Sequence, residues 1–242
     1  MEVKINNYNV FSGSIDEILE LDGKIVINTI NAHSYITAEK DKIFKEALVE
    51  SDVLLPDGEG VVLMAKYLNN IRINKIAGAD MHQLLLKHVN KNNLKCFYLG
   101  SSENVLNIIR QNLNREFPNI NIATFSPPFK EKFTEKDNEK IITAINNFEP
   151  DVLFVGMTAP KQEKWLFQNK EHINFKFAAA IGAVFDFYAE TKSRAPKWVI
   201  KIKMEWLYRA FSSWRLAKRY IYSNPKFIIE VIKLKFLKVK NN

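Results

Sequence analysis

Apolar and polar positions along the chain repeat with two alternating periods. Residues 24–30 (KIVINTI) are a β-branched run and predict a strand, and residues 37–49 carry apolar side chains at helical spacing. Residues 53–55 are a short apolar strand broken by Asp57-Gly58-Glu59-Gly60. Asp80 with Gln83 three positions on predicts a capping box that opens a helix to Val89. Residues 94–99 predict a strand that ends at Gly100-Ser101-Ser102, and a helix follows to Phe117. Further strands are expected at 120–124, 151–155 and 175–181. Helices are expected at 134–148 and from Pro160, which suits a first helical position. Strands separated by helices of this length imply βαβ units. The expected fold is therefore α/β and Rossmann-like, a mainly parallel sheet flanked by helices. In such sheets ligands gather at the carboxyl ends of the strands, and the unusual polar residues of this chain fall there.

After Arg194 the pattern changes to helices only, rich in Trp, Lys and Arg. The expected division is an α/β domain over residues 1–193 and a helical, basic C-terminal appendage over residues 194–242. Charge sharpens that division. The chain carries a net +8, yet from Lys192 onward there are 14 Lys and Arg against 2 Asp and Glu, so the body is slightly acidic. A basic tail on an acidic body points to a polyanionic partner, either nucleic acid or anionic lipid. Ile228, Ile229, Ile232, Phe236 and Val239 form an apolar stripe at helical spacing. Lys235 flanks it on one side and Lys226, Lys233 and Lys240 on the other. That layout suits a helix lying in a membrane interface, with lysines reaching toward headgroups, better than it suits a phosphate backbone. A helix docked on the body with a solvated basic face is the other reading. Arg215, Lys218 and Arg219 share one face of the preceding turns. No stretch is long and apolar enough to span a bilayer, and the N-terminus lacks the layout of a signal peptide. One cysteine, Cys96, fits a reducing compartment and excludes a disulfide framework.

Several residues could carry chemistry. Asp57, just past a strand and between glycines, is placed to act as a general base or to make an ordinary turn. Thr29 and Asn31, at a strand end, could bond a substrate hydroxyl or satisfy local backbone. Gly156 ends a strand ahead of Pro160, Lys161, Gln162 and Glu163. Free amides at that helix start, with the Lys161 charge, would favour a diphosphate. Gly182 precedes Asp186, which could meet a nucleobase or ribose, or pair with Arg194. A Gly-x-Gly-x-x-Gly fingerprint and an Asp-x-Asp pair are both missing, so neither a dinucleotide cofactor nor a metal is expected.

Together these motifs resemble the WecG/TagA/CpsF glycosyltransferases, bacterial enzymes of teichoic-acid linkage units, enterobacterial common antigen and capsules. The resemblance runs through Thr29 and Asn31, Asp52, Pro56-Asp57-Gly58, Gly60 and Gly78-Ala79-Asp80. It continues in Tyr98-Leu99-Gly100, Asp151, Gly156, Pro160-Lys161-Gln162-Glu163, Gly182 to Phe187, Arg194 with Trp198, Glu205 to Arg209, and Arg219-Tyr220. It implies a metal-independent, inverting transfer of a hexose or N-acetylhexosamine, N-acetylmannosamine best, from a UDP-sugar to a polyprenyl-diphosphate-linked sugar. Asp57 matches the base, with Thr29 and Asn31 beside it. Gln162 matches a residue near the donor sugar, and Asp186 one that reads the uracil. Gly100, Gly156, Lys161, Glu163, Gly182 and Arg194 are expected to bind substrate. Lys75, where the family usually has arginine, is expected among the catalytic residues, stabilising the departing UDP, and Arg209, Arg215, Lys218 and Arg219 near the acceptor diphosphate or the membrane. No cofactor and no nucleic acid are implied. The expected location is cytoplasmic, on the inner face of the plasma membrane; a homo-oligomer is compatible with the exposed stripe, and a non-catalytic scaffold is the alternative function.

Overall fold

A computed structural model of the chain describes residues 1–191, 195–202 and 204–240. It opens with an antiparallel hairpin, β1 (Glu2–Ile5) and β2 (Tyr8–Phe11), which turns at Asn6 with φ 56°. There follow β3 (Ile25–Ile30), α1 (Ala32–Ala38), α2 (Lys42–Val49), β4 (Val53–Pro56), α3 (Glu59–Asn69) and α4 (Gly78–Lys91). Next come β5 (Lys95–Gly100), α5 (Glu103–Glu116), β6 (Asn121–Phe125), α6 (Glu135–Phe148), β7 (Val152–Gly156), α7 (Lys161–Asn169), β8 (Phe177–Ala180) and α8 (Gly182–Tyr188). The chain closes with α9 (Lys197–Lys201), α10 (Glu205–Ser212) and α11 (Trp214–Lys240). Strands β3 to β8 form one six-stranded parallel sheet in the order β4-β3-β8-β7-β5-β6.

The strands are apolar on both sides because helices cover both faces. In β5 and β7, Cys96, Tyr98, Val152 and Phe154 point into a core built with α4, α5 and α8. Phe97, Leu99, Leu153 and Val155 point into a second core with α6 and α7. A third cluster joins the hairpin, α1, α2, α3 and β4, and includes Phe227 and Val231 of α11. No described helix is long and apolar enough to cross a membrane.

The structure corrects several expectations. The hairpin and α3 were not foreseen, and the single helix expected at 37–49 is two. Asn31 and Asp41 each accept backbone N–H bonds as N-caps, so each starts a new helix. Gly58 and Gly60 read as breakers, yet α3 begins at Glu59. Gly58 serves as its N-cap at φ 144°, and a Cβ on Gly60 would stand 3.3 Å from the Phe227 ring. The expected box at Asp80 and Gln83 is displaced. Asp80 is the third residue of α4, and its carboxylate accepts from the Ala77 N–H at 3.1 Å.

The appendage is docked on the body along one face. Phe227 packs edge-on to Tyr35 with ring centroids 5.3 Å apart, and Tyr35 meets Tyr8 of the hairpin at 5.5 Å. Lys235 donates to Tyr67 O at 2.9 Å, and Lys238 donates to Leu68 O and to Asn69 Oδ1. These lysines therefore close the carboxyl end of α3, where its last carbonyls and dipole favour a cation. Lys235 is not the headgroup-seeking lysine the sequence suggested. The stripe itself stays largely uncovered: Ile228 is 58% and Phe236 72% exposed, and Ile229 and Ile232 are exposed as well. The Val239 side chain lies outside the described residues.

Candidate active site

Because all six strands are parallel, their carboxyl ends share one edge of the sheet. A cleft of ≈ 2270 Å³ opens along that edge, roofed by the loop at 126–133 and by α10 and α11. Thr29 and Asn31 reach it from the end of β3, Asp57 from the end of β4, Gly156 from β7, and Gly182 and Asp186 from α8. Lys161, Gln162 and Glu163 line it from α7, Lys75 from the segment before α4, and Arg219 from α11.

Backbone bonds fix Asp57. Its N–H donates to Ile30 O at 2.9 Å, extending the β3–β4 ladder by one residue, and the positive φ of Gly58 then turns the chain into α3. Asp57 thus stands across the strand pair from Thr29 and Asn31. Asn31 Oδ1 accepts from the N–H groups of His33 and Ser34, both at 3.0 Å. With both lone pairs used, Asn31 has only its amide hydrogens to offer a ligand.

Gln162 is buried and already engaged. Its Oε1 accepts from Gly182 N–H at 3.1 Å, and its Nε2 donates to Glu163 Oε1 at 2.9 Å. It clamps the start of α7 to the end of β8. Of the amides expected to be free at this helix start, that of Lys161 is committed. Lys161 N–H donates to Thr158 O at 2.9 Å. The Lys161 ammonium is held as well, over the Phe133 ring at 3.5 Å and on Lys130 O. Burial in that packing lowers its pKa, against an opposing pull from Asp137. Lys161 thereby fastens the 126–133 loop to the start of α7.

Glu163 is 3% exposed, and its Oε2 has no hydrogen-bond partner among the described residues. Burial pushes its carboxyl up to about 7, while the bond from Gln162 and the charge of Arg219 pull the other way. Lys75 donates to Glu205 of α10 at 2.8 Å, which ties the body to the appendage at the cleft wall. Gly100 is set back from the cleft. Its φ of 117° lets β5 close against Gly156, and the lining on that side passes to Ser101 and Ser102. Lys218 also stands apart, its ammonium 5.3 Å from the Trp214 ring. Arg194 and the side chains of Arg209 and Arg215 lie outside the described residues. Among the described residues no group of three or more His, Cys, Asp or Glu could hold a metal ion.

Glu205 and His33 line the cleft, and the sequence reading gave neither a role in the site. Glu205 is one of two acids in the basic tail, and that rarity was its signal. His33 stands two positions past Asn31, at the start of α1.

A cleft at the carboxyl edge of a parallel sheet, lined from strands, helices and an added C-terminal element, is the site of an α/β enzyme. Residues 1–241 match the model of the glycosyl transferase WecG/TagA/CpsF family. The chain is 32% identical over 216 residues to the N-acetylglucosaminyldiphosphoundecaprenol N-acetyl-beta-D-mannosaminyltransferase of Bacillus subtilis (strain 168), covering 88% of this chain and 82% of that protein. It is 28% identical over 211 residues to the protein of the same name from Staphylococcus aureus (strain MRSA252), covering 87% and 81%. The chain belongs to the WecG/TagA/CpsF family of glycosyltransferases.

Proposed function

We propose that this glycosyltransferase moves N-acetylmannosamine, with inversion and without a metal, from its UDP conjugate to N-acetylglucosamine on a polyprenyl diphosphate. The observation that carries the reading is the placement of Asp57 beside Thr29 and Asn31 in the cleft of a family member. Asp57 removes the proton from the acceptor hydroxyl as that oxygen bonds the anomeric carbon. The bond from that carbon to the diphosphate oxygen breaks, and UDP leaves with the electron pair. Lys75 and Arg219 are the cations at hand to balance the departing charge, and the diphosphate competes with Glu205 for Lys75. Asp186 reads the uracil, and Gln162 holds the floor beneath the sugar.

The docked face of α11 joins the appendage to the cleft. Its uncovered apolar residues, together with Trp206, Phe211 and Trp214, support peripheral attachment to an anionic membrane at the inner face, where a lipid-linked acceptor is found. The test is a donor screen: purified protein with a panel of UDP-sugars and a short-chain polyprenyl-diphosphate N-acetylglucosamine, EDTA present. Transfer from UDP-N-acetylmannosamine above all others is expected. Preference for another sugar would reassign the donor.

A further inference from the structure

Among the buried polar atoms lining the cleft, His33 Nδ1 and Glu163 Oε2 have no hydrogen-bond partner among the described residues. A buried polar atom left unpaired costs stability, so each marks a place where something else supplies the missing bond.

Their chemistry is fixed by their neighbours. The Thr37 hydroxyl donates its single hydrogen to His33 O at 2.8 Å. Its 3.4 Å contact with His33 Nε2 is then a hydrogen bond only when Nε2 carries the ring proton, the tautomer in which Nδ1 presents a bare lone pair. Burial and then the Arg219 charge push the imidazole down to about 4, so it stays neutral near pH 7. Glu163 has Oε1 fixed by Gln162, which is itself fixed by Gly182, so Oε2 is held in place as a second acceptor whenever the carboxyl is ionised. Arg219 acts on both His33 and Glu163, and it comes from a third element, α11. All three residues line the one cleft, from α1, α7 and the docked appendage. Two lone-pair acceptors repel phosphate oxygens and complement groups with hydrogens to give.

We infer that His33 and Glu163 form a sugar-reading subsite, which takes a hydroxyl or acetamido N–H of a bound hexosamine on His33 Nδ1 and Glu163 Oε2. The inference rests on the transferase reading for the identity of the sugar, but its geometry is independent of turnover. Donor and acceptor both carry such groups, and binding separates them.

The experiment is calorimetry at pH 8 with UDP, UDP-N-acetylmannosamine and the short-chain acceptor. It compares the wild type with His33→Leu, His33→Asn and Glu163→Gln, each checked for folding by thermal melting. Affinity for UDP should not change. The extra affinity conferred by the sugar should fall roughly ten-fold or more in His33→Leu and Glu163→Gln. It should return in His33→Asn, whose amide oxygen can stand near the Nδ1 position. A loss confined to the donor puts the donor sugar in the subsite, and a loss confined to the acceptor puts the acceptor sugar there. Either result upholds the inference. Sugar affinities within about two-fold of wild type in both variants would overturn it, as would a wild type that gains nothing from the sugar of either ligand. A wild type with His33-dependent sugar binding that transfers nothing refutes the transferase reading and leaves the subsite standing. An active wild type with unaltered variants does the reverse.

Discussion

Glu163→Gln should change the pH dependence of stability in a direction and size that the structure sets. The wild-type carboxyl ionises at about 4.5 in an exposed setting and at about 7 in the fold, because burial disfavours the anion more than Gln162 and Arg219 favour it. On the outer side of α7 the facing charges, Lys164 and Asp41 of α2, pair with each other at 2.8 Å. Below pH 4.5 the group is protonated folded or unfolded and costs nothing. As pH rises toward 7 the unfolded chain ionises freely while the fold resists, so stability contributed by the neutral carboxyl is lost. It is fully lost once the folded group has ionised. At about 1.4 kcal/mol per pH unit, the interval corresponds to about 3 kcal/mol. Glutamine cannot ionise. Its stability relative to wild type should therefore rise by about 3 kcal/mol between pH 4.5 and pH 8, whatever the offset at low pH. Urea unfolding followed by tryptophan fluorescence at half-unit pH steps measures the difference. A difference that stays flat across this window would refute the reasoning, since Glu163 would then be solvated or paired.

Phe227→Ala should cost about 3–5 kcal/mol of appendage docking, because the ring fills the space between Tyr35 and Gly60; earlier proteolytic cleavage within 214–240 reports it. Gly58→Ala forces a side chain into φ 144° next to Asp57, and should cost about 1–3 kcal/mol in unfolding assays and lower kcat. A double-mutant cycle of Lys75→Met with Glu205→Gln should return a coupling of about 1 kcal/mol, given their partial exposure. Paired Ile229→Asp and Phe236→Asp changes should release the protein from anionic vesicles in sedimentation while leaving Tm unchanged, since both side chains face solvent.

The sheet was legible because buried parallel strands are continuous apolar runs, and each of the six was located to within two residues at either end. What escaped depended on distant partners. Glycine at positions 58 and 60 signals a break when read locally, but here the approach of Phe227 from the far end of the chain explains Gly60. The split between α1 and α2 lay in Asp41, a cap residue inside an otherwise helical pattern. In the site, Asp57, Thr29, Asn31 and Asp186 could be named because they follow strands. The inward commitments of Gln162 and Lys161 could not, because Gly182 and Lys130 lie 20 and 31 residues away. The stripe on α11 was read correctly as apolar. Its neighbours Phe227 and Val231, which bind the helix to the body, were not separated from it, since one helix carries both faces.

The most direct test of the account is the transfer rate of Asp57→Asn against wild type, with UDP-N-acetylmannosamine and polyprenyl-diphosphate N-acetylglucosamine in EDTA. The substitution keeps the size and the backbone bond to Ile30 and removes the base. The account predicts EDTA-resistant transfer by the wild type, and a fall of about 10²–10⁴ in kcat for the variant with little change in donor affinity. A variant within a few-fold of wild type would contradict it, and would move the proton transfer to another group in the cleft.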